Sequence, residues 1–115
     1  MKELIYKVID LFTFGKGLKK TFHGHSLRLP TRYINYFPAD YEADNFIFLQ
    51  QHCQPGAVVL DIGAHIGLFA VVAGQLSGAG GKVFAFEPAP STNALLKKTI
   101  GLNHMQAVIE PRNEA

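Results

Sequence analysis

Residues 57–67 read AVVLDIGAHIG, an apolar run that ends in an acid and a glycine-containing loop. A run without polar alternation is typical of a parallel strand that is covered on both faces. A second apolar run, residues 83–86 (VFAF), ends in Glu87-Pro88. Between the two runs, residues 66–75 carry apolar side chains at helical spacing. The pattern predicts a strand–helix–strand unit of an α/β fold.

The residues that follow extend this unit. Ser91 is a candidate N-cap for a helix over residues 91–101, and a weaker strand is predicted at residues 107–109. The resulting order over residues 55–115 is β-α-β-α-β. We therefore expect a partial doubly wound, Rossmann-like parallel sheet with right-handed crossovers.

Residues 1–54 predict an N-terminal cap. Residues 1–14 form an amphipathic helix, residues 21–30 alternate around Gly24 as a hairpin does, and residues 40–53 predict a second helix. We expect the first helix to pack its apolar face on the domain or on a missing part of it, and contact of residues 1–14 with a membrane surface is the minor alternative.

Composition limits the chain to one small domain, with 115 residues of which 48% are hydrophobic and 17% charged. The net charge of +2 is spread along the chain, so we expect no nucleic-acid partner. The single Cys53 and the lack of zinc-type spacing suit a reducing compartment, so we expect a cytoplasmic protein with no bound metal. Tyr33, Tyr36 and Phe37 are interpreted as packing residues, because base stacking needs a basic groove.

The two strand ends carry the candidate binding residues. In open α/β sheets, ligands bind outside the carboxyl ends of the strands, so both ends line one crevice. Gly63 and Gly67 permit a tight turn and close approach of a ligand to the backbone. Glu87 can accept hydrogen bonds from both hydroxyls of a ribose. Together these residues indicate a cofactor that contains adenosine.

The details of the loop distinguish between adenosine cofactors. A dinucleotide fingerprint needs glycines at the first, third and sixth positions. Counting from Gly63, the third position is His65 and the sixth is Leu68. This disfavours a nucleotide-dependent oxidoreductase. S-adenosylmethionine has no phosphate. Asp61 suits its cationic amino group, and the N-terminus of the following helix suits its carboxylate.

These segments resemble the FkbM family of class I S-adenosylmethionine-dependent methyltransferases. The similarity is carried by residues 59–69 and 83–88, with further matches at Tyr41-Glu42 and Leu102-Asn103. It runs from about residue 24 to the last residue.

The resemblance implies specific roles in cofactor binding. The residues expected to touch the methionine part are Asp61, Gly63, Ala64, His65 and Gly67. By the same resemblance Glu87 binds the ribose, Pro88 fixes the turn, and Glu114 lies where the superfamily carries an acid near the adenine amino group. His65 departs from the glycine that class I enzymes often have in the middle of this loop.

The resemblance further implies O-methyl transfer to a hydroxyl of a small molecule or sugar. No catalytic residue is assigned, because the acceptor-binding strands and loops of such enzymes have no counterpart in this sequence. We expect a truncated chain or a partner of a complementing C-terminal half, with the first parallel strand left as an unpaired, sticky edge. The alternative is a non-catalytic cofactor-binding or interaction remnant of such an enzyme.

Overall fold

Two sheets organise the chain, a two-stranded antiparallel hairpin and a three-stranded parallel sheet. The computed structural model describes all residues, Met1–Ala115. The elements in chain order are α1 (Lys2–Phe12), β1 (Leu18–Phe22), β2 (His25–Leu29), a 3₁₀ turn (Thr31–Tyr33), α2 (Ala43–His52), β3 (Val58–Ile62), α3 (Leu68–Ser77), β4 (Lys82–Phe86), α4 (Pro90–Leu102) and β5 (Ile109–Arg112).

The parallel sheet has the order β3-β4-β5, with Asp61 opposite Ala85 and Ala85 opposite Pro111. Both crossovers proceed in the same direction across the sheet, so right-handed connections place α3 and α4 on one face. This confirms the predicted α/β class and the β-α-β-α-β order.

The core lies between these two helices and the sheet. Val83 and Ala85 of the central strand are fully buried, as are Val71 of α3 and Leu96 of α4. The hairpin and α2 contribute to the same apolar cluster, in which Phe46 lies 5.1 Å from Phe69 between ring centroids. The proposed division at residues 54 and 55 thus falls within one continuous core and stays a prediction.

The opposite face of β3 is uncovered. Val58, Leu60 and Ile62 of β3 are 71%, 63% and 69% exposed. The prediction that this strand is covered on both faces is therefore wrong, because both crossover helices lie on the other side. The outer edge of β3 has no neighbouring strand, which confirms the expected unpaired edge.

Turn chemistry explains where the hairpin differs from the prediction. His23 and Gly24 both have positive φ (49° and 85°), as a two-residue type I′ turn requires. Leu18 consequently pairs with Leu29, and the first strand begins three residues before the predicted Thr21.

Proline explains the differences near the C-terminus. Pro90 occupies the first turn of α4, and Ser91 makes no capping bond because it lies inside the helix. β5 covers Ile109–Arg112 rather than residues 107–109, and it contains Pro111. Proline is tolerated there since β5 pairs on only one side.

Helix α1 has no buried residue and packs only lightly on the rest of the chain. Its polar side chains reach the 3₁₀ turn, where Glu3 pairs with Arg32 and Thr31 donates a hydrogen bond to Asp10. None of the helices has both the length and the apolar character that crossing a membrane demands.

Candidate functional site

The loop between β3 and α3 is a tight turn attached to the neighbouring strand. Gly63, His65 and Gly67 adopt positive φ values of 75°, 56° and 101°. The amides of Gly63 and Ala64 both donate to the carbonyl of Phe86, each at 2.9 Å. The loop is thereby fixed at the carboxyl end of the sheet, where ligands of α/β folds bind. The left-handed conformation of His65 also explains why class I enzymes often have glycine at this position.

Glu87 joins the ends of the two strands. Its Oε1 accepts from the amide of His65 at 2.9 Å, and its Oε2 accepts from the amide of Ala89 at 3.2 Å. The side chain amides of Asn93 and Asn113 donate to the Glu87 carbonyl, each at 3.0 Å. Glu87 thus braces the loop, while its carboxylate keeps free lone pairs for a further donor such as a hydroxyl.

Asp61 is the polar residue at this end of β3 whose hydrogen bonding is incomplete. Its Oδ2 is buried and has no hydrogen-bond partner in the chain. Burial raises the pKa of Asp61. A buried carboxylate without a partner is costly, and a cationic ligand group relieves that cost. Asp61 therefore fits the role of binding an ammonium group.

Asp61 opens into a concavity of about 230 Å³, which we call the donor pocket. Its lining is largely apolar and consists of Tyr36, Phe37, Tyr41, Asp61, Gly63, Ala64, His65, Leu68 and Phe69. Pockets that hold a whole drug-sized ligand measure about 300–1,000 Å³. The donor pocket is therefore large enough for only part of such a ligand.

Three aromatic residues of the N-terminal segment form one wall of the donor pocket. Tyr36 stacks on the ring of His65, with 5.5 Å between ring centroids and an angle of 25°. Phe37 meets the same ring edge-on at 6.4 Å, and Tyr41 stacks on Phe69 at 6.0 Å. An aromatic wall beside a carboxylate attracts a cation through ring quadrupoles as well as charge.

This aromatic wall is attached to the hairpin by Lys20. The Nζ of Lys20 donates to the carbonyls of Ile34 at 2.8 Å and Phe37 at 2.6 Å. Lys20 thus binds the backbone on both sides of Tyr36 without touching the donor pocket itself. Its neighbour Lys19 is exposed and makes neither contact.

The structure brings some of the predicted residues together and separates others. Asp61, Gly63, Ala64 and His65 line the donor pocket, with Glu87 bonded to the back of the loop. Gly67 is buried, and a Cβ there would lie 2.8 Å from Leu96 Cδ1, so it permits close packing on α4. Pro88 and Glu114 lie outside the pocket lining.

Sequence reasoning missed the aromatic wall. Tyr36, Phe37 and Tyr41 come from the cap, and only the tertiary fold brings that segment over the carboxyl end of β3. Interpreting Tyr36 as a packing residue is inconsistent with its 57% exposure. The sequence did hold one partial signal, the match at Tyr41-Glu42.

The fold and the loop define an S-adenosylmethionine-dependent methyltransferase domain of the Rossmann-like type. The profile of the TRM5/TYW2 methyltransferase domain matches residues 22–114. The chain therefore belongs to the TRM5/TYW2 methyltransferase domain family, whose cofactor is S-adenosylmethionine. None of the curated protein sequences gives a significant match.

Solved structures share the fold at low sequence identity. An O-methyltransferase from Thermotoga maritima aligns over 65% of this chain and 29% of its own, with a TM-score of 0.61 and 20% identity. A Trm5 enzyme in complex with tRNALeu aligns over 84% of this chain and 27% of its own, with a TM-score of 0.61 and 23% identity. TYW2 from P. horikoshii in complex with MeSAdo aligns over 87% of this chain and 36% of its own, with a TM-score of 0.59 and 23% identity. This chain thus spans little more than a third of their lengths at most.

These comparisons confirm the predicted cofactor class and correct three other predictions. The matched family is TRM5/TYW2, and no comparison supports the FkbM assignment or a small-molecule or sugar acceptor. The expectation of no nucleic-acid partner is contradicted by the neighbour that was solved with tRNA. That expectation relied on the even distribution of charge along the sequence. Residues that are distant in sequence can be neighbours in the fold, so the distribution of charge on the surface can differ.

Proposed function

We propose that this chain forms the donor-binding part of an S-adenosylmethionine-dependent RNA methyltransferase, with tRNA as the substrate to test first. The observation that carries the proposal is Asp61, which lines an aromatic-walled pocket at the carboxyl end of β3 and whose buried Oδ2 has no hydrogen-bond partner. The family match and the tRNA-bound neighbour support the nature of the acceptor.

The proposed binding mode follows the chemistry of each side chain. Asp61 accepts the ammonium group of the amino-acid part, and the aromatic wall of Tyr36, Phe37 and Tyr41 excludes water around it. Glu87 uses its remaining lone pairs for the ribose hydroxyls while it holds the loop through His65. Gly63 leaves open space where a Cβ would point, so a ligand can approach the backbone there.

When bound, S-adenosylmethionine supplies an electrophilic methyl group whose transfer leaves the S–C electron pair on sulfur. The proton of the acceptor must then pass to a base. The contribution of this chain is to hold the donor in a fixed orientation, which accounts for much of the rate of an in-line displacement. We assign no base among its residues.

Calorimetry with the 115-residue chain tests donor binding. We expect S-adenosylhomocysteine to bind, 5′-methylthioadenosine to bind more weakly because it lacks the ammonium group, and NAD not to bind. Absence of S-adenosylhomocysteine binding would falsify the proposal.

A second assay tests transfer. Labelled methyl groups should pass from S-adenosylmethionine to an unmodified tRNA transcript in the presence of the protein. Donor binding without transfer would instead support the non-catalytic cofactor-binding alternative.

A further inference from the structure

A second concavity lies at the end of the domain that is remote from the donor pocket. It has a volume of about 480 Å³ and is lined by Gly15, Lys16, Arg28, Lys98, Gly101, Leu102 and His104. We call it the basic cleft. It adjoins the C-terminal end of α4, whereas Glu87 lies close to the N-terminal end, three residues before Pro90. Because a 13-residue helix is about 20 Å long, the cleft cannot contact the reacting atoms.

The charge of the basic cleft is of one sign. Its lining includes Lys16, Arg28 and Lys98 and no carboxylate, and an adjoining groove adds Lys19. None of these four cations forms an ion pair, since the ion pairs of the chain involve only Arg32 and Arg112. A recess lined by unpaired cations concentrates positive potential, which attracts anions.

The sequence origin of this charge is a segregation of acids. Residues 11–39 and 88–109 contain no Asp or Glu, yet they hold seven of the 11 Lys and Arg residues. Five of these lie in the first segment and two in the second. In each segment taken alone, the Lys and Arg residues are few and spread out. The fold concentrates the charge by placing the two segments side by side.

Hydrogen bonds from the side chain of Asn103 to the backbone of Arg28 hold the two segments together. The amide of Arg28 donates to Asn103 Oδ1 at 2.7 Å, and Asn103 Nδ2 donates to the carbonyl of Arg28 at 2.8 Å. Gly17 packs so closely on the second segment that a Cβ would lie 3.0 Å from Leu102 Cδ1. The cleft is therefore preformed, and its cations need no large rearrangement to meet a ligand.

We propose that the basic cleft binds the phosphodiester backbone of the RNA substrate, several nucleotides away from the methylated base. This inference rests on the proposed function for the identity of the acceptor. Phosphate contacts supply affinity and register without reading sequence, which suits a site remote from the reaction.

An anionic bilayer is the competing ligand, because α1 exposes Leu11 and Phe12 near Lys16. The shape of the cleft favours RNA. The cations line a recess, which admits a protruding phosphate backbone more readily than the plane of a membrane surface.

Salt-dependent RNA binding tests the inference. The probe is an unmodified tRNA transcript, and the variants are the double substitution R28Q/K98Q and the control K97Q, whose residue is exposed on α4 outside the cleft lining. For R28Q/K98Q we expect roughly a tenfold or greater loss of affinity and a decrease of about two in the salt slope. K97Q should keep the wild-type slope.

The same set of proteins separates the possible failures. An unchanged slope in R28Q/K98Q, or an equal loss in K97Q, would overturn the inference. Binding to phosphatidylserine vesicles that R28Q/K98Q abolishes, with no binding to tRNA, would assign the cleft to membranes and overturn it as well. Calorimetry with S-adenosylhomocysteine is independent of these results. If the wild-type protein does not bind S-adenosylhomocysteine, donor binding is refuted, and the tRNA-binding measurements alone decide whether the cleft binds RNA. Thermal melts check that each variant is folded.

Discussion

The donor pocket and the basic cleft lie toward opposite ends of the domain and differ in almost every property. The donor pocket is about half as large, is mostly apolar and contains one buried carboxylate, Asp61. The cleft is larger and carries three cations and a histidine. A small cationic group suits the first and a polyanion suits the second. One small domain thus presents two surfaces that would separate a cationic ligand from an anionic one by charge.

Replacing Asp61 should have the largest effect. Asp61→Asn removes the only charge in the donor pocket lining, and hydrogen bonds to charged groups contribute about 1.5–3 kcal/mol. We expect the Kd for S-adenosylhomocysteine to rise roughly 10- to 100-fold by calorimetry. Affinity for 5′-methylthioadenosine and for tRNA should not change. Asp44→Asn, on the exposed surface of α2, is the matched control, and an equal loss there would contradict the assignment.

The pH dependence of the same variant has a defined sign. Burial raises the pKa of Asp61 above about 3.9, the usual value for Asp. Its contribution to folding stability is therefore complete at low pH and is lost as pH rises through the raised pKa. The unliganded Asp61→Asn protein should melt at a higher temperature than wild type at pH 7. Wild-type affinity for S-adenosylhomocysteine should increase with pH through this range, whereas that of Asp61→Asn should stay flat.

Lys19 and Lys20 allow a direct test of whether the donor pocket and the basic cleft are separate sites, because each of these adjacent residues contributes to a different one. Lys20 holds the aromatic wall through the carbonyls of Ile34 and Phe37, and Lys19 borders the groove that adjoins the cleft. Lys20→Met should weaken S-adenosylhomocysteine binding roughly tenfold, as the loss of about 1.4 kcal/mol of charge-assisted hydrogen bonding implies. Binding of tRNA by Lys20→Met should be unaffected.

Lys19→Met should show the opposite pattern, with weaker tRNA binding and unchanged S-adenosylhomocysteine binding. Two readouts exclude a merely structural role for Lys20. Its effect should be absent for 5′-methylthioadenosine, and Lys20→Arg should restore much of the affinity. Similar losses of both ligands in both variants would show that the two sites are not separate.

The positions of Asp61 and Glu87 at one edge of the sheet were predictable because their signals are local. Asp61 and Glu87 each end an apolar run, and parallel strands bring such ends together by topology alone. The basic cleft and the aromatic wall were not predictable in this way. Arg28 and Asn103 are 75 residues apart, and Tyr36 reaches His65 only after the cap has folded over the loop. The uncovered face of β3 was missed for a related reason, since its apolar run gives no information on which side the crossover helices lie.

Glu114 should give the smallest effect. Its carboxylate is exposed and accepts from Arg112 Nε at 2.8 Å, so any contact with the adenine amino group competes with both water and an ion pair. We expect Glu114→Gln to change the Kd for adenosine or S-adenosylhomocysteine by less than about threefold.

Glu110→Gln is the matched control for Glu114→Gln, because Glu110 pairs with the same Arg112 at 2.8 Å. The arginine loses one carboxylate partner in either variant, so the difference between the two Kd values isolates contact with the adenine. A larger loss in Glu114→Gln than in Glu110→Gln would support the adenine contact. Equal values would restrict recognition of the donor to Asp61, Glu87 and the loop between β3 and α3. In that case the charge of the donor, rather than its base, would determine which cofactor this domain selects.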